Sequence, residues 1–181
     1  GALASGTTQF VGFLKSEDCQ ATMHIFQQLG VPITLKDDML TIEGVGIQGL
    51  SESKDLLDVG NSGTAIRLIS GILSAQSFQS VITGDASIQK RPMKRIIDPL
   101  TQMGANIQST QRDDQQCAPL TIQSVGSLTD FSYAMPVASA QVKSALLLAG
   151  VAAQRKVSIT QPGDCRDHTE RMLDLFGADI E

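Results

Sequence analysis

Three predicted helices of this chain end in the same way, and their ends are almost evenly spaced. The glycines that would cap them are Gly30, Gly104 and Gly177, which lie 74 and 73 residues apart. Glycine is favoured where a helix stops, because it adopts the left-handed backbone conformation without a steric penalty. Such regular spacing indicates three copies of one structural unit, each longer than the usual repeats of solenoid proteins.

The middle copy shows the order of elements most clearly. Its apolar periodicity and turn residues predict strand, helix, strand, helix and hairpin over residues 56–59, 64–75, 79–83, 92–103 and 106–123. We therefore expect each complete copy to be a βαβαββ unit.

The outer copies are predicted to be incomplete. In the first, residues 1–6 resemble the end of a helix with its cap, followed by a strand at 7–14, a helix at 16–30 and a hairpin of 33–35 with 39–42. The third copy begins near Phe131 and contains predicted helices at 139–153 and 167–176. We expect a chain that is cut at both ends, with its first unit truncated at the start.

The predicted helix near residues 140–153 is apolar on nearly every face, so it must be buried. The neighbouring strands alternate polar and apolar residues more clearly, as Thr121, Ile122 and Gln123 do. These patterns predict an α+β fold, a mixed α/β architecture with its helices inside and its sheets outside.

Composition limits the classes of function. The 181 residues include 41% hydrophobic residues, enough for a core, and carry a formal net charge of −5. A broad nucleic-acid or membrane surface needs positive potential, so neither partner is expected. No apolar run is long enough to span a membrane and no signal peptide is recognisable, which predicts a cytoplasmic protein. The three cysteines and two histidines have no metal-site spacing.

Three predicted helix starts carry residues suited to an anion. They are Asn61-Ser62-Gly63, the segment 84–93 with Lys90-Arg91-Pro92, and Ser139-Ala140-Gln141. The start of a helix presents free backbone N–H groups and the positive end of its dipole. We expect the three starts to form one local anion site.

These stretches, together with Arg166-Asp167-His168-Thr169-Glu170, resemble the signatures of the 5-enolpyruvylshikimate-3-phosphate (EPSP) synthase family, in family order and spacing over essentially the whole chain. The Ser-Ala-Gln-x-Lys and Arg-x-His-x-Glu forms are similar to the class II branch, which is commonly tolerant of glyphosate. The resemblance implies a two-lobed transferase of the shikimate pathway, with three βαβαββ units in each lobe. It also implies the substrates shikimate 3-phosphate and phosphoenolpyruvate, no cofactor and no metal, and weak binding of glyphosate.

The resemblance also assigns substrate-binding residues. It implies that phosphoenolpyruvate lies against Asn61, Gly63 and Arg91, and shikimate 3-phosphate against Ser139, Ala140, Gln141 and Arg166. Taken alone, Asn61-Ser62-Gly63 is an ordinary helix cap and Arg91 a surface ion pair with Asp98. Arg67 is expected to brace the loop, whereas Lys143 reaches either the cleft or the surface.

The other lobe of the family supplies the acidic residues that move protons, so no catalytic residue is assigned to this chain. We expect residues 1–181 to be a single lobe, the N-terminal half, with the second lobe as a missing partner, and to be inactive alone. Two alternatives remain open: a lobe similar to UDP-N-acetylglucosamine enolpyruvyl transferase, or a binding module without catalysis. Residues 84–92 lack the reactive cysteine of the first alternative.

Overall fold

The computed structural model describes residues 1–124 and 126–181, which form nine strands and five α-helices. The strands are β1 (Ser5–Val11), β2 (Ile33–Lys36), β3 (Met39–Val45), β4 (Leu57–Asp58), β5 (Ser80–Thr83), β6 (Asn106–Arg112), β7 (Gln115–Gln123), β8 (Phe131–Ala134) and β9 (Val157–Thr160). The helices are α1 (Glu17–Gln28), α2 (Gly63–Leu73), α3 (Lys94–Gln102), α4 (Ala140–Ala153) and α5 (His168–Leu175).

The middle unit has the predicted βαβαββ order. Its four strands form a sheet in the order β4-β5-β7-β6. β4 and β5 are parallel, with Leu57 opposite Ile82, and α2 connects them. β5 and β6 both pair with β7 in antiparallel fashion. The predicted mixed α/β fold is confirmed, and the middle unit contains all six elements of the repeat.

The outer units contain parts of the same arrangement. In the first unit, the antiparallel order β1-β3-β2 corresponds to β5-β7-β6 of the middle unit. In the third unit, β8 and β9 are parallel and are connected by α4, as β4 and β5 are connected by α2. α2 and α4 are therefore equivalent helices. Each begins shortly after a parallel strand ends, so the starts of both helices lie at the same end of the fold.

Residues 1–6 differ from the prediction, because they are not the end of a helix. A single turn closes with the Ala4 N–H donating to the Gly1 carbonyl at 2.9 Å, and β1 begins at Ser5. Ser5 pairs with Val45 of β3, which gives these backbone groups partners in a sheet. The predicted strand at 7–14 is therefore shifted toward the N-terminus and ends at Val11.

The three capping glycines confirm the repeat. Gly30, Gly104 and Gly177 have φ angles of +88°, +111° and +82°, in the region that favours glycine. Each follows the end of a helix, after α1, α3 and α5. The even spacing in the sequence therefore reports three equivalent helix ends.

Two helices form the centre of the core. α2 buries eight of its eleven residues and α4 eight of its fourteen, whereas α1 buries only Ile25 and α5 none. A β-carbon built on Gly71 of α2 would lie 2.1 Å from the Ala145 carbonyl oxygen of α4, so the two backbones are in direct contact. The inside position of helices thus applies to α2 and α4 above all. Among the described residues, no helix has both the length and the apolar character needed to cross a bilayer.

Candidate functional site

The turn between β4 and α2 builds the first part of the site. Gly60 has a φ of +58°, and its N–H donates to the Asp58 carboxylate at 2.8 Å. Ser62 caps α2 by accepting a hydrogen bond from the Ala65 N–H at 3.1 Å. This capping leaves Gly63 as the first residue of the helix, beside the other free N–H groups of its first turn.

Asp85 joins this turn to the loop that follows β5. Its carboxylate accepts hydrogen bonds from the N–H groups of Ser87 and Ile88, both at 2.9 Å, and from the Asn61 side-chain amide at 2.6 Å. The Asp85 N–H in turn donates to the Gly60 carbonyl at 2.8 Å. The bond from the Ile88 N–H, and then the one from Asn61, hold the pKa of Asp85 below its usual value. Asn61 therefore steadies the turn through Asp85.

Two guanidinium groups converge on the start of α2. A β-carbon built on Gly63 would lie 2.7 Å from Nη1 of Arg91 and 3.1 Å from Nη1 of Arg67. Only a residue without a side chain allows both cations to approach so closely. The surface pair of Arg91 with Asp98 is not formed, because Asp98 pairs with Lys94 at 2.8 Å.

Arg67 also links α2 to α4. It donates to the Gly63 carbonyl and to the Gln141 side-chain oxygen, both at 2.9 Å, and to the Pro92 carbonyl at 3.4 Å. Gln141 completes the link by donating to the Thr64 hydroxyl at 3.0 Å. Arg67 thus braces the loop, as the sequence suggests, and Gln141 lies directly beside Arg67.

Positively charged side chains are concentrated around the start of α2. Burial of the Arg67 guanidinium, and then the positive charges of Arg91 and Arg95, lower its pKa. Since arginine stays protonated in proteins, Arg91 and Arg95 both repel Arg67, while the Asp85 carboxylate lies close enough to Arg91 to be affected by its charge. Such a group of arginines favours a ligand with phosphate or carboxylate oxygens, which guanidinium binds with two parallel hydrogen bonds.

The start of α4 lies next to this cluster. The Ser139 hydroxyl caps the helix by accepting from the Val142 N–H at 3.4 Å, and Ala140 is the first helical residue. Ser139 also lines a cavity of about 440 Å³ together with Pro92, Arg95 and Tyr133. The structure therefore brings Ser139, Ala140 and Gln141 into the neighbourhood of Asn61, Gly63 and Arg91.

Among the described residues, no hydrogen bond or ion pair joins the Arg166 side chain to the rest of the site. Arg166 is exposed in the loop between β9 and α5. The helix that follows it is joined to α4, because Ser144 and Thr169 share a hydrogen bond at 2.6 Å and Lys143 pairs with Glu170. Lys143 therefore reaches neither the cleft nor the surface: it is buried and paired.

Sequence reasoning missed two residues of the site, Asp85 and Arg95. An aspartate two residues before a serine is a known signal for a side-chain-to-backbone turn, which would have identified Asp85. Arg95 has no such local signal, since its effect on Arg67 depends on how α3 packs. Among residues 1–124 and 126–181, no group of three or more His, Cys, Asp or Glu is placed to hold a metal ion.

The chain resembles known proteins over its whole length. The family model for EPSP synthase (3-phosphoshikimate 1-carboxyvinyltransferase) matches residues 1–181. The 3-phosphoshikimate 1-carboxyvinyltransferases of Bacillus thuringiensis subsp. konkukian and Shouchella clausii are each 52% identical to this chain over 180 residues, which is 99% of this chain and 41% of each relative.

Solved structures give the same result. Two structures of EPSP synthase from Acinetobacter baumannii match with TM-scores of 0.94 and 0.95 at 50% identity, and cover 100% of this chain but 40% and 41% of theirs. This chain therefore spans about two fifths of the length of the relatives that it matches. The family model, sequences about 50% identical and solved structures of the same fold all match this chain over essentially its whole length. This protein therefore belongs to the EPSP synthase family.

Proposed function

We propose that residues 1–181 form a single lobe, the N-terminal half, of a two-lobed enzyme that transfers a carboxyvinyl group from phosphoenolpyruvate to shikimate 3-phosphate. The observation that carries the proposal is the convergence of Arg67 and Arg91 over Gly63, together with the link through Gln141 to the start of α4. Both substrates carry a phosphate and a carboxylate, so the reaction needs a place where several negative charges lie close together.

In this proposal, phosphoenolpyruvate occupies the side of the site that belongs to α2. Arg91 binds its anionic oxygens, the absent side chain of Gly63 leaves room for the arginines that hold this ligand, and Asn61 holds the turn through Asp85. A charge-assisted hydrogen bond contributes about 1.5–3 kcal/mol, which exceeds the roughly 0.3–1 kcal/mol of a helix dipole. The arginines therefore contribute most of the binding free energy, and the N–H groups at the helix start orient the ligand.

Shikimate 3-phosphate occupies the side that belongs to α4. Ser139 and the Ala140 N–H bind its phosphate at the start of the helix, and Arg166 approaches from the loop before α5. Gln141 lies between the two substrates, because it already contacts Arg67 and Thr64. Glyphosate, an anion smaller than shikimate 3-phosphate, binds the same arginine cluster weakly in this proposal.

The chemistry passes through a tetrahedral adduct: a hydroxyl of shikimate 3-phosphate loses its proton and adds to the phosphate-bearing carbon of phosphoenolpyruvate while the neighbouring carbon takes up a proton, and loss of phosphate and of a proton from that carbon then restores the double bond. This chain orients and holds the substrates, whereas proton transfer belongs to the second lobe, its missing partner. We therefore expect binding without turnover from residues 1–181. A cytoplasmic location stays a prediction from the sequence.

Nuclear magnetic resonance tests the binding half of the proposal. Titration of the 181-residue chain with shikimate 3-phosphate should shift the backbone amides of Gly63, Ala140 and Arg166, whereas UDP-N-acetylglucosamine should shift none of them. An equal response to both compounds would favour the related nucleotide-sugar transferase. No response to either compound would favour a module without this function.

A phosphate-release assay tests the catalytic half. With both substrates present, the 181-residue chain should release no phosphate above the uncatalysed rate, and addition of a second lobe from an EPSP synthase should produce turnover. Phosphate release by the chain alone would show that its own residues move the protons.

A further inference from the structure

A buried ion pair connects α4 to α5. Lys143 is the one charged residue of α4 and its side chain is 8% exposed, while its partner Glu170 is 23% exposed. The second carboxylate oxygen of Glu170 is buried without a hydrogen-bond partner in the described part of the chain. Burying two charges is costly, and such a pair often adds no net stability compared with apolar residues of similar volume. Its role is therefore better sought in geometry than in stability.

A second bond lies beside the ion pair. Ser144 follows Lys143 and shares a hydrogen bond of 2.6 Å with Thr169, which precedes Glu170. Two adjacent residues of α4 thus contact two adjacent residues of α5, so the contacts set both the separation and the rotation of the helices. α5 has no buried residue of its own that would otherwise hold it in one orientation.

Both ends of this connection lie one helical turn from predicted substrate contacts. The Lys143 N–H donates to the Ser139 carbonyl at 3.1 Å, across the first turn of α4. Glu170 lies in the first turn of α5, which begins immediately after Arg166 and Asp167. The ion pair therefore couples the turn that begins at Ser139 to the turn that follows Arg166.

We propose that Lys143 and Glu170 are positioning residues, which hold the start of α5 so that Arg166 reaches the same phosphate group as Ser139. This inference rests on the proposed function, because it needs shikimate 3-phosphate at the start of α4. Neither residue touches the substrate; both act through the orientation of α5. The exposed Arg166 has no described ion-pair partner to hold it, so its position depends on α5, which begins two residues later.

The test uses the double variant Lys143→Met/Glu170→Met of the 181-residue chain, which removes both charges and keeps similar volumes. Its affinity for shikimate 3-phosphate, measured by magnetic resonance titration, should fall by about tenfold or more, as expected for one lost charge-assisted bond. Its affinity for shikimate, which lacks the phosphate, should not change. The variant Lys36→Met/Glu43→Met, which removes one charge of each sign from exposed positions on β2 and β3, is the matched control and should bind both compounds normally.

A cycle with Arg166→Ala separates positioning from a general effect on folding. In the Arg166→Ala background, loss of the ion pair should cause no further loss of affinity for shikimate 3-phosphate. Three outcomes would each overturn the inference. The first is an equal further loss of affinity for shikimate 3-phosphate in the Arg166→Ala background, and the second is an equal loss of affinity for shikimate. The third is an unchanged affinity for shikimate 3-phosphate in the double variant.

A milder variant keeps the test decisive if the double variant does not fold. Thr169→Val removes the neighbouring hydrogen bond with little change of shape, and should weaken binding of shikimate 3-phosphate but not of shikimate. Unchanged binding of both by this variant would then contradict the inference. Failure of the unsubstituted chain to bind shikimate 3-phosphate would overturn the proposed function as well, which distinguishes that outcome from all the others.

Discussion

At the scale of single residues, the site depends on an absent side chain. Gly63 is at the start of α2 and has an ordinary backbone conformation, so no turn requires glycine there. The requirement comes from the space above it, which two arginine side chains occupy. Any side chain at this position would compete with Arg91 and Arg67 for that volume.

We predict that Gly63→Ala weakens the binding of phosphoenolpyruvate without destabilising the fold. The added methyl group would displace the Arg91 guanidinium, whose flexible end can move, and so cost about one charge-assisted hydrogen bond, or roughly tenfold in affinity. The free energy of unfolding should hold or rise by up to about 1 kcal/mol, because alanine favours a helix over glycine. Resonance titration and thermal melting measure the two effects.

The control for this variant is Gly126→Ala, since an added β-carbon at Gly126 meets no atom within 4 Å. It should bind phosphoenolpyruvate as the unsubstituted chain does. Normal affinity in Gly63→Ala would mean that the arginines do not bind the ligand from their present positions.

At the scale of secondary-structure elements, the close contact of α2 and α4 sets the distance between the two halves of the site. Gly71 and Ala145 bring the helix backbones together, and Arg67, Thr64 and Gln141 then reach one another at the helix starts. Small residues where the two helices touch, Gly71 near the end of α2 and Ala145 within α4, thus determine whether polar residues at the helix starts can form hydrogen bonds.

Gly71→Ala should therefore lower both stability and binding. Its β-carbon would lie 2.1 Å from the Ala145 carbonyl oxygen, which is backbone and cannot rotate away. Overpacking of this kind costs about 1–3 kcal/mol, or about 2–12 °C in melting temperature for a chain of this size. Thr101→Ala, at an exposed position of α3, is the control and should melt normally. An unchanged melting temperature in Gly71→Ala would contradict the close packing.

At the scale of the whole molecule, a negative chain contains a local positive site. The formal net charge is −5, yet Arg67, Arg91 and Arg95 lie close enough for their charges to interact. Attraction to an anion is then a short-range property of the cluster, while the rest of the surface repels anions.

Binding of shikimate 3-phosphate should therefore weaken severalfold when salt rises from about 10 mM to about 150 mM, because the Debye length falls from roughly 30 Å to roughly 8 Å. Arg95→Gln should reduce this salt dependence, whereas Lys36→Gln, an exposed charge change in the first sheet, should not. Calorimetry at several salt concentrations measures the slope. A slope that Arg95→Gln leaves unchanged would place Arg95 outside the anion site.

Much of the fold could be predicted from local patterns. The glycine spacing, the order of elements in the middle unit and the burial of α4 all follow from short-range preferences that repeat along the chain. The error at residues 1–6 has the opposite cause: small apolar residues there favour a helix locally, but pairing of Ser5 with Val45, 40 residues away, satisfies the backbone instead.

The site divides in the same way. The motifs by themselves determined that Asn61, Gly63 and the Ser139 segment lie at helix starts, because capping and turn residues act over three or four positions, whereas Arg91 lies in the segment before α3, which begins at Lys94. Only the tertiary structure decided that Arg67 bonds Gln141, 74 residues away, that Asp85 holds Asn61, and that Lys143 is buried against Glu170. Those partners depend on how α2, α4 and α5 pack. Packing depends on side-chain volumes and on how closely the helix backbones approach, and these involve residues far apart in the sequence.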